Sequence, residues 1–143
     1  MGSLSAADLL GAPIRLHGIL LGRPVDIVLD PGYRRALGFV VESGDDAPRF
    51  LPFAASQPAE GEIAVASALM LLDDVAFYRT RGASFRALLG TQVEHASVPA
   101  GALVDMHIGP AGELEALEVE LDGARRRIAA AGSSFAAAAA TAA

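Results

Sequence analysis

The sequence contains no cysteine, tryptophan or lysine. Without cysteine, the chain cannot form disulfides, use a thiolate nucleophile or bind zinc through sulfur. Small secreted domains commonly depend on disulfides, and no secretory signal is recognisable at the N-terminus, so we expect a cytoplasmic protein. The most apolar stretch, residues 63–72, has only half of the about 20 residues that a transmembrane helix needs, so we expect no membrane span.

Positive charge is also scarce. Eleven arginines stand against 17 acidic residues, and the formal net charge is −6. Nucleic-acid-binding proteins obtain much of their affinity from basic residues that neutralise phosphates, so we expect no nucleic-acid partner. The only basic cluster is residues 125–127, three consecutive arginines, and the simplest interpretation is a solvated edge of the fold.

Motifs that carry chemistry are missing. No serine lies in a G-x-S-x-G context, and no glycine-rich phosphate-binding loop precedes a helix. Asp105 and His107 are two residues apart on a predicted strand and could contact one metal ion, but a site needs three or four ligands and no third is visible. The other histidines, His17 and His95, have no partner at a ligand spacing. We therefore predict no catalytic, cofactor-binding or metal-binding residues and no enzymatic activity.

What the chain does contain is an internal repeat with an offset of 79 residues. The matched pairs, taken without a gap, are Leu9-Leu10-Gly11 with Leu88-Leu89-Gly90, Ser5 with Ser84, Gly22 with Gly101, Val25-Asp26 with Val104-Asp105, Pro31 with Pro110, Val40 with Val119, and Gly44 with Gly123. This pattern predicts a first repeat over residues 1–82 and a second, shorter one over residues 83–129. The alanine-rich residues 130–143 are predicted to be a disordered tail.

Each repeat is predicted to centre on a β-hairpin. Apolar residues alternate with others over residues 25–30, Asp30-Pro31-Gly32 supplies turn chemistry, and residues 37–42 form the return strand. The predicted copy pairs residues 103–108 with residues 114–121. The side chains expected to point inward are Val25, Ile27, Leu29, Val104, Met106 and Ile108.

The remaining pattern favours short strands with little helix. Ser5 is expected to cap one helical turn, and Ser67 a second. Further predicted strands cover residues 14–16, 49–53, 63–66, 75–81, 92–94 and 124–128. Closely spaced turns predict an all-β fold of duplicated small β-barrels with one or two short helical turns. Residues 49–53 should form a sheet edge and the second repeat should lack a closing strand, which predicts a possible homodimer.

Both repeats resemble the PRC-barrel domain family, the small β-barrel found in the photosynthetic reaction centre H subunit and in the ribosome maturation factor. The resemblance rests on the opening Leu-Leu-Gly, the glycine before a Val-Asp strand, the hairpin, and Leu51-Pro52 in the following strand. It implies a β-barrel that binds a partner and catalyses no reaction. The second repeat departs from the pattern, since it has no leucine-proline strand.

Two functions follow as alternatives. The first is a non-enzymatic adaptor or scaffold that binds a protein partner. The second is a regulatory protein that binds a small anionic molecule in a pocket between the repeats, with Arg34, Arg35 and Arg79 as candidate contacts.

Asp26 and Asp105 occupy equivalent positions on strand faces predicted to point outward. They could act as a pair of acids across a pseudo-twofold axis, or be solvated, or accept backbone N–H bonds in a turn. The second repeat is too short to fold alone, so we expect a core shared with the first repeat through residues 75–81 and Phe85.

Overall fold

The chain folds mostly into β-strands, which confirms the all-β prediction. The computed structural model describes residues 2–44 and 47–135. The strands of these residues are β1 (Leu4–Ser5), β2 (Ile14–Leu16), β3 (Ile19–Leu29), β4 (Ala36–Glu42), β5 (Arg49–Pro52), β6 (Ser56–Ala59), β7 (Glu62–Val65), β8 (Ala83–Ser84), β9 (Gln92–His95), β10 (Val98–Ile108), β11 (Leu114–Leu121), β12 (Ala124–Ala129) and β13 (Ser133–Phe135).

Helices are few and short. They are α1 (Ala6–Leu9), α2 (Val75–Arg81) and α3 (Phe85–Leu88), with 3-10 turns at Phe53–Ala55 and Ala68–Met70. In the described part of the chain, no helix is long and apolar enough to cross a membrane. Ser5 and Ser67 cap a helical turn each, as predicted. The prediction of a strand over residues 75–81 is wrong, because Asp74 accepts a hydrogen bond from the Phe77 N–H and starts α2 there.

The strands form two curled sheets, one built mainly by each repeat. The first has the order β5-β4-β3-β2-β7-β6, and the second has the order β12-β11-β10-β9-β13. Each sheet also receives the first strand of the other repeat. β1 pairs with β10 of the second repeat, and β8 pairs with β3 of the first. The two repeats therefore exchange their opening strands.

The central hairpin is confirmed and is longer than predicted, since β3 pairs with β4 over Arg23 to Leu29. Asp30 closes the turn by accepting the Tyr33 N–H on its carbonyl and the Arg34 N–H on Oδ1. The inward orientation predicted for Val25 and Val104 is wrong, because each lies at a register shift of its hairpin. Both are only partly buried, and Val25 packs against the cluster on the other side of its sheet.

The repeat is not free of gaps. Up to the turn the offset is 79, since Ile14 pairs with Gly22 as Val93 pairs with Gly101. After the turn it is 78, because Leu29 pairs with Ala36 whereas Ile108 pairs with Leu114. The second turn is one residue shorter, and the matches of Val40 with Val119 and Gly44 with Gly123 are wrong. Val41 and Val119 are the equivalent pair.

The corrected offset places Arg35 and Glu113 at equivalent positions, and these two residues form a β-bridge with each other. The Ala36 N–H donates to the Gly112 carbonyl at 2.7 Å, and the Leu114 N–H donates to the Arg34 carbonyl at 2.8 Å. The offset of 78 residues relates the donor of each of these hydrogen bonds to the donor of the other, and likewise the acceptors. The pseudo-twofold axis that relates the repeats therefore passes through this bridge.

One hydrophobic core joins the two repeats, as expected for a shared core. Its largest fully buried side chains are Ile14, Ile27, Leu29, Phe39, Leu51 and Ile63 from the first repeat and Phe85, Leu103, Met106, Ile108 and Leu117 from the second. Phe85 contributes as predicted. Helix α2 does not, because its buried Val75 belongs to a separate small cluster outside the first sheet.

The prediction of a disordered tail from residue 130 is wrong at its start, because a further strand, β13, lies within that segment. β13 pairs antiparallel with β9 and supplies the closing strand that the second repeat was expected to lack. Phe135 is buried and packs edge-on against Tyr33 of the first repeat, with ring centroids 5.0 Å apart. Residues 136–143 of the predicted tail lie outside the described residues.

Strand β3 offers a matched test of this core. Ile27 has 0% of its surface exposed, whereas Ile19 on the same strand is 63% exposed. The Ile27→Asp variant should not fold, because a buried charge without a partner costs several kcal/mol and domains are commonly stable by only about 5–15 kcal/mol. Circular dichroism during thermal unfolding measures this. Ile19→Asp should fold like the parent, and a folded Ile27→Asp protein would show that the face assignment of β3 is wrong.

Candidate functional site

Asp105 anchors the first helical turn of the opposite repeat. Its Oδ2 accepts the hydroxyl of Ser5, and its Oδ1 accepts the N–H groups of Ala7 and Met106 at 2.9 and 2.7 Å. Ser5 Oγ in turn accepts the Asp8 N–H and so caps α1. The expected solvated, outward-facing position is wrong for Asp105, which is only 6% exposed. The alternative prediction, an acceptor of backbone N–H groups, is confirmed.

Asp26 makes the equivalent contacts in the opposite direction. Its Oδ2 accepts the Ser84 hydroxyl, and its Oδ1 accepts the N–H groups of Arg86 and Ile27 at 3.1 and 2.8 Å. Ser84 Oγ caps α3 through the Ala87 N–H. The two aspartates therefore hold opposite helices and do not form an acid pair across the axis.

The outer surface of the first sheet is apolar and is covered by the chain itself. Val28, Val40 and Phe50 lie there, and Val75 and Tyr78 of α2 pack over them. The rings of Phe50 and Tyr78 stack with centroids 3.8 Å apart and an interplanar angle of 5°. Helix α2 thus closes the outside of the first repeat.

The same surface of the second sheet is polar, and in the described part of the chain no helix packs over it as α2 does over the first sheet. The register places His107, Glu118 and Arg127 at the positions of Val28, Val40 and Phe50, respectively. We call these three residues the open face. The three apolar residues Val28, Val40 and Phe50 are replaced by ionisable ones in the second repeat, so the repeats differ on their outer faces at these positions.

Electrostatic contacts organise the open face. His107 Nε2 lies 3.2 Å from Glu118 Oε1, and Arg125 donates a hydrogen bond of 2.7 Å to Glu118 Oε2. Burial acts to raise the pKa of Glu118, but its contacts with His107 and Arg125 outweigh it, and the pKa is lowered. Glu118 therefore keeps its charge beside the His107 ring and the Arg125 guanidinium.

Asp105, His107 and Glu118 also lie close enough to be considered as metal ligands. Their ligand atoms are all within 4.8 Å of one another, and Glu118 is the third group that the sequence did not reveal. His107 Nε2 is buried without a hydrogen-bond partner of good geometry. However, Asp105 already accepts three hydrogen bonds and Glu118 holds Arg125, so a cation would have to displace these donors.

A cavity of about 510 Å³ adjoins the open face. It lies between α1 with its leading strand and the turn from β6 to β7, and its polar lining includes Ser5, Asp8, Glu60, His107 and Arg127. Arg127 reaches back to the N-terminal segment, where it donates a hydrogen bond of 3.2 Å to Ser3 Oγ. Groups of both charges therefore surround this cavity.

The three arginines predicted as ligand contacts are not brought together. Arg34 lines a cavity of about 580 Å³ between the repeats, which includes Tyr33 on one side and Phe135 on the other. Arg35 lies on the pseudo-twofold axis and donates to the Ala111 carbonyl at 3.3 Å. Arg79 is exposed on α2 and does not line that cavity.

Comparison with known proteins adds no assignment, since no protein-family model and no curated protein matches this chain.

The reciprocal anchors can be tested as a pair. Asp105→Ala leaves three donors without their acceptor and should lower the free energy of unfolding by at least about 2 kcal/mol. Asp26→Ala should act in the same direction because it removes the equivalent contacts. Chemical denaturation measures both variants. Glu60→Ala, at an exposed position, is the control, and an effect of Asp105→Ala no larger than that of the control would contradict the anchoring role.

The open face should make stability depend on pH in the acid range. Since folding lowers the pKa of Glu118 from its ordinary value of 4.5, its stabilising contribution is complete above that value and is lost as the pH falls through the folded-state value. The Glu118→Gln variant should therefore be less stable than the parent at pH 7, and the difference should shrink below pH 4.5. Denaturation at a series of pH values measures this, with Glu115→Gln on the same strand as the control. A constant difference at all pH values would contradict it.

Proposed function

We propose that this protein is a non-enzymatic adaptor or scaffold that binds a protein partner on the second repeat. One observation carries the proposal. The chain covers the outer surface of its first repeat with α2, whereas no helix of the described residues lies at the equivalent place on the second repeat, where Arg125 and Arg127 are exposed. A partner would supply there the cover that the chain supplies on the first repeat.

The chemistry of the site supports binding better than catalysis. The buried carboxylate of Asp105 and its equivalent Asp26 are engaged by hydroxyl and backbone donors, which fix them in structural roles. Glu118 is held by Arg125. A general acid or base must be able to exchange its proton with a substrate, and these groups are already committed to partners within the chain.

We further propose that the two repeats are PRC-barrel-like and that the protein acts in the cytoplasm. The duplicated motif, the curled sheets and the paired hairpins support the first point. The absence of cysteine from the sequence supports the second.

Site-specific photocrosslinking in cells tests the partner-binding role. A photoreactive residue at Ala129, which is exposed on β12 beside the open face, should capture one defined protein that excess unlabelled chain displaces. The same residue at Ala76, exposed on α2, is the matched control and should not capture it. Equal capture at both positions, or no capture together with turnover of a metabolite, would overturn the proposal.

The cavity between the repeats favours a second function, the binding of a small anionic molecule. Its volume is about 580 Å³, both repeats line it, and Arg34 supplies a positive charge. Clefts of this size between structural units are common ligand sites.

Thermal-shift screening of small organic and phosphorylated anions tests this function. A ligand present at one hundred times its dissociation constant should stabilise the folded protein by about 2.7 kcal/mol. Arg34→Ala should remove the shift, and Arg79→Ala, on the distant α2, should retain it. If no anion in the screen raises the melting temperature, or if both variants lose the shift alike, the second function is wrong.

A homodimer remains a further proposal, because each sheet has edge strands at which a second copy could pair. A sedimentation mass that stays monomeric at all concentrations would contradict it.

A further inference from the structure

The outer edge of the second sheet has no paired neighbour among the described residues. There β12 is the last strand on its side of the sheet, pairs only with β11, and is largely exposed. Asp122 and Gly123 form a two-residue turn with positive φ values of 53° and 80°. Such a turn makes Leu121 and Ala124 the first hydrogen-bonded pair of the hairpin.

This register decides which backbone groups face outward. Hydrogen-bonded pairs alternate with non-hydrogen-bonded pairs in an antiparallel ladder, so the N–H and C=O groups of Ala124, Arg126 and Ile128 point to β11. Those of Arg125 and Arg127 point away from the sheet. In the part of the chain that the structure describes, no backbone group pairs with them.

In the first repeat the equivalent strand edge, on β5, is paired with another segment of the chain. Phe50 on β5 is the equivalent of Arg127, and its N–H and C=O groups both form hydrogen bonds with Leu72, at 2.8 and 2.7 Å. The chain itself therefore closes this edge in one repeat. Within residues 2–44 and 47–135, the two repeats give a matched comparison in which a single bridge is present on β5 and missing on β12.

The side chains on β12 determine which kind of segment could pair with this strand. Arg125 and Arg127 lie on one face, and Arg126 lies on the other, on a chain whose net charge is −6. The Arg125 side chain remains 58% exposed although it bonds Glu118. A guanidinium has five N–H donors, so one carboxylate does not saturate it. A strand added to β12 would place every second side chain opposite Arg125 and Arg127.

We infer that β12 accepts an extended acidic segment of a partner protein as an additional strand, with Asp or Glu at alternate positions opposite Arg125 and Arg127. This inference rests on the proposed partner-binding function and names its surface and its ligand. Backbone hydrogen bonds hold the segment and the arginines select its charge, which is the usual division of roles in strand addition. A second copy of β12 is the wrong occupant, because it would place arginine opposite arginine, and like charges at opposed positions are destabilising.

Binding of a synthetic peptide to the full chain tests the inference. The probe is a fluorescent peptide of about six residues, the length of a common strand, that alternates glutamate with threonine. It should bind in fluorescence anisotropy at low salt and weaken as salt is added. In NMR hydrogen exchange, the bound peptide should protect the amides of Arg125 and Arg127. A peptide of the same sequence with N-methylated backbone amides has the same charge but lacks the N–H donors of a strand ladder and should not bind.

Charge reversal completes the design. The double variant Arg125→Glu, Arg127→Glu should bind the glutamate peptide at least about tenfold more weakly and should prefer a lysine-threonine peptide. Arg49→Glu on β5 is the matched control, because that edge is already closed at Phe50, and it should bind as the parent does.

The outcomes separate the inference from the proposed function. Equal binding of the N-methylated peptide would show a general anion-binding patch and overturn strand addition, as would protection of amides elsewhere. No binding of the glutamate peptide, with a defined protein still captured at Ala129, would overturn strand addition but leave the adaptor function standing. Peptide binding as expected, with no protein captured at Ala129, would leave the edge chemistry standing and reject the adaptor function.

Discussion

Two hydrogen-bonded contacts hold the repeats together, and the rest of the structure depends on them. Asp26 and Asp105 each receive the serine hydroxyl and a helix N–H from the opposite repeat, so each repeat begins on the sheet of its neighbour. The second repeat is short and has no disulfide, so we expect it to bury too little surface to be stable alone. The exchange of opening strands and helical segments joins both repeats in one core.

The same exchange explains where the repeats were free to diverge. Inner positions such as Phe39 and Leu117 face the shared core and stay apolar in both copies. Outer positions face solvent or a segment that packs on one repeat only. At one such position, Val40 in the first repeat corresponds to Glu118 in the second. Helix α2 occupies the linker between the repeats and covers only the first. A duplicated fold thereby obtains one closed side and one open side, and the open side carries the candidate site.

Local signals in the sequence predicted local structure well. Ser5 as a helix cap, the Asp30 turn and the hairpin strands all follow from short-range chemistry. The partners of Asp26 and Asp105 in the opposite repeat did not follow, because contacts between residues 58 to 100 positions apart leave no periodic trace. Val75–Arg81 has a β-prone composition, and only the cap at Asp74 marks it as a helix. Strand β13 was hidden in an alanine-rich segment whose one aromatic residue, Phe135, is buried in the core. The open edge of β12 is likewise visible only by comparison with Phe50 in the other repeat.

The interdependence of the repeats is tested most directly by producing residues 1–82 and residues 83–143 as separate chains. Each fragment lacks the strand and helical turn that the other supplies, so each alone should give the narrow amide shifts of an unfolded chain in NMR. Mixed in equal amounts, they should give dispersed shifts and a single cooperative thermal transition. A fragment that shows dispersed shifts and its own sharp transition in the absence of the other would contradict a core built by exchange.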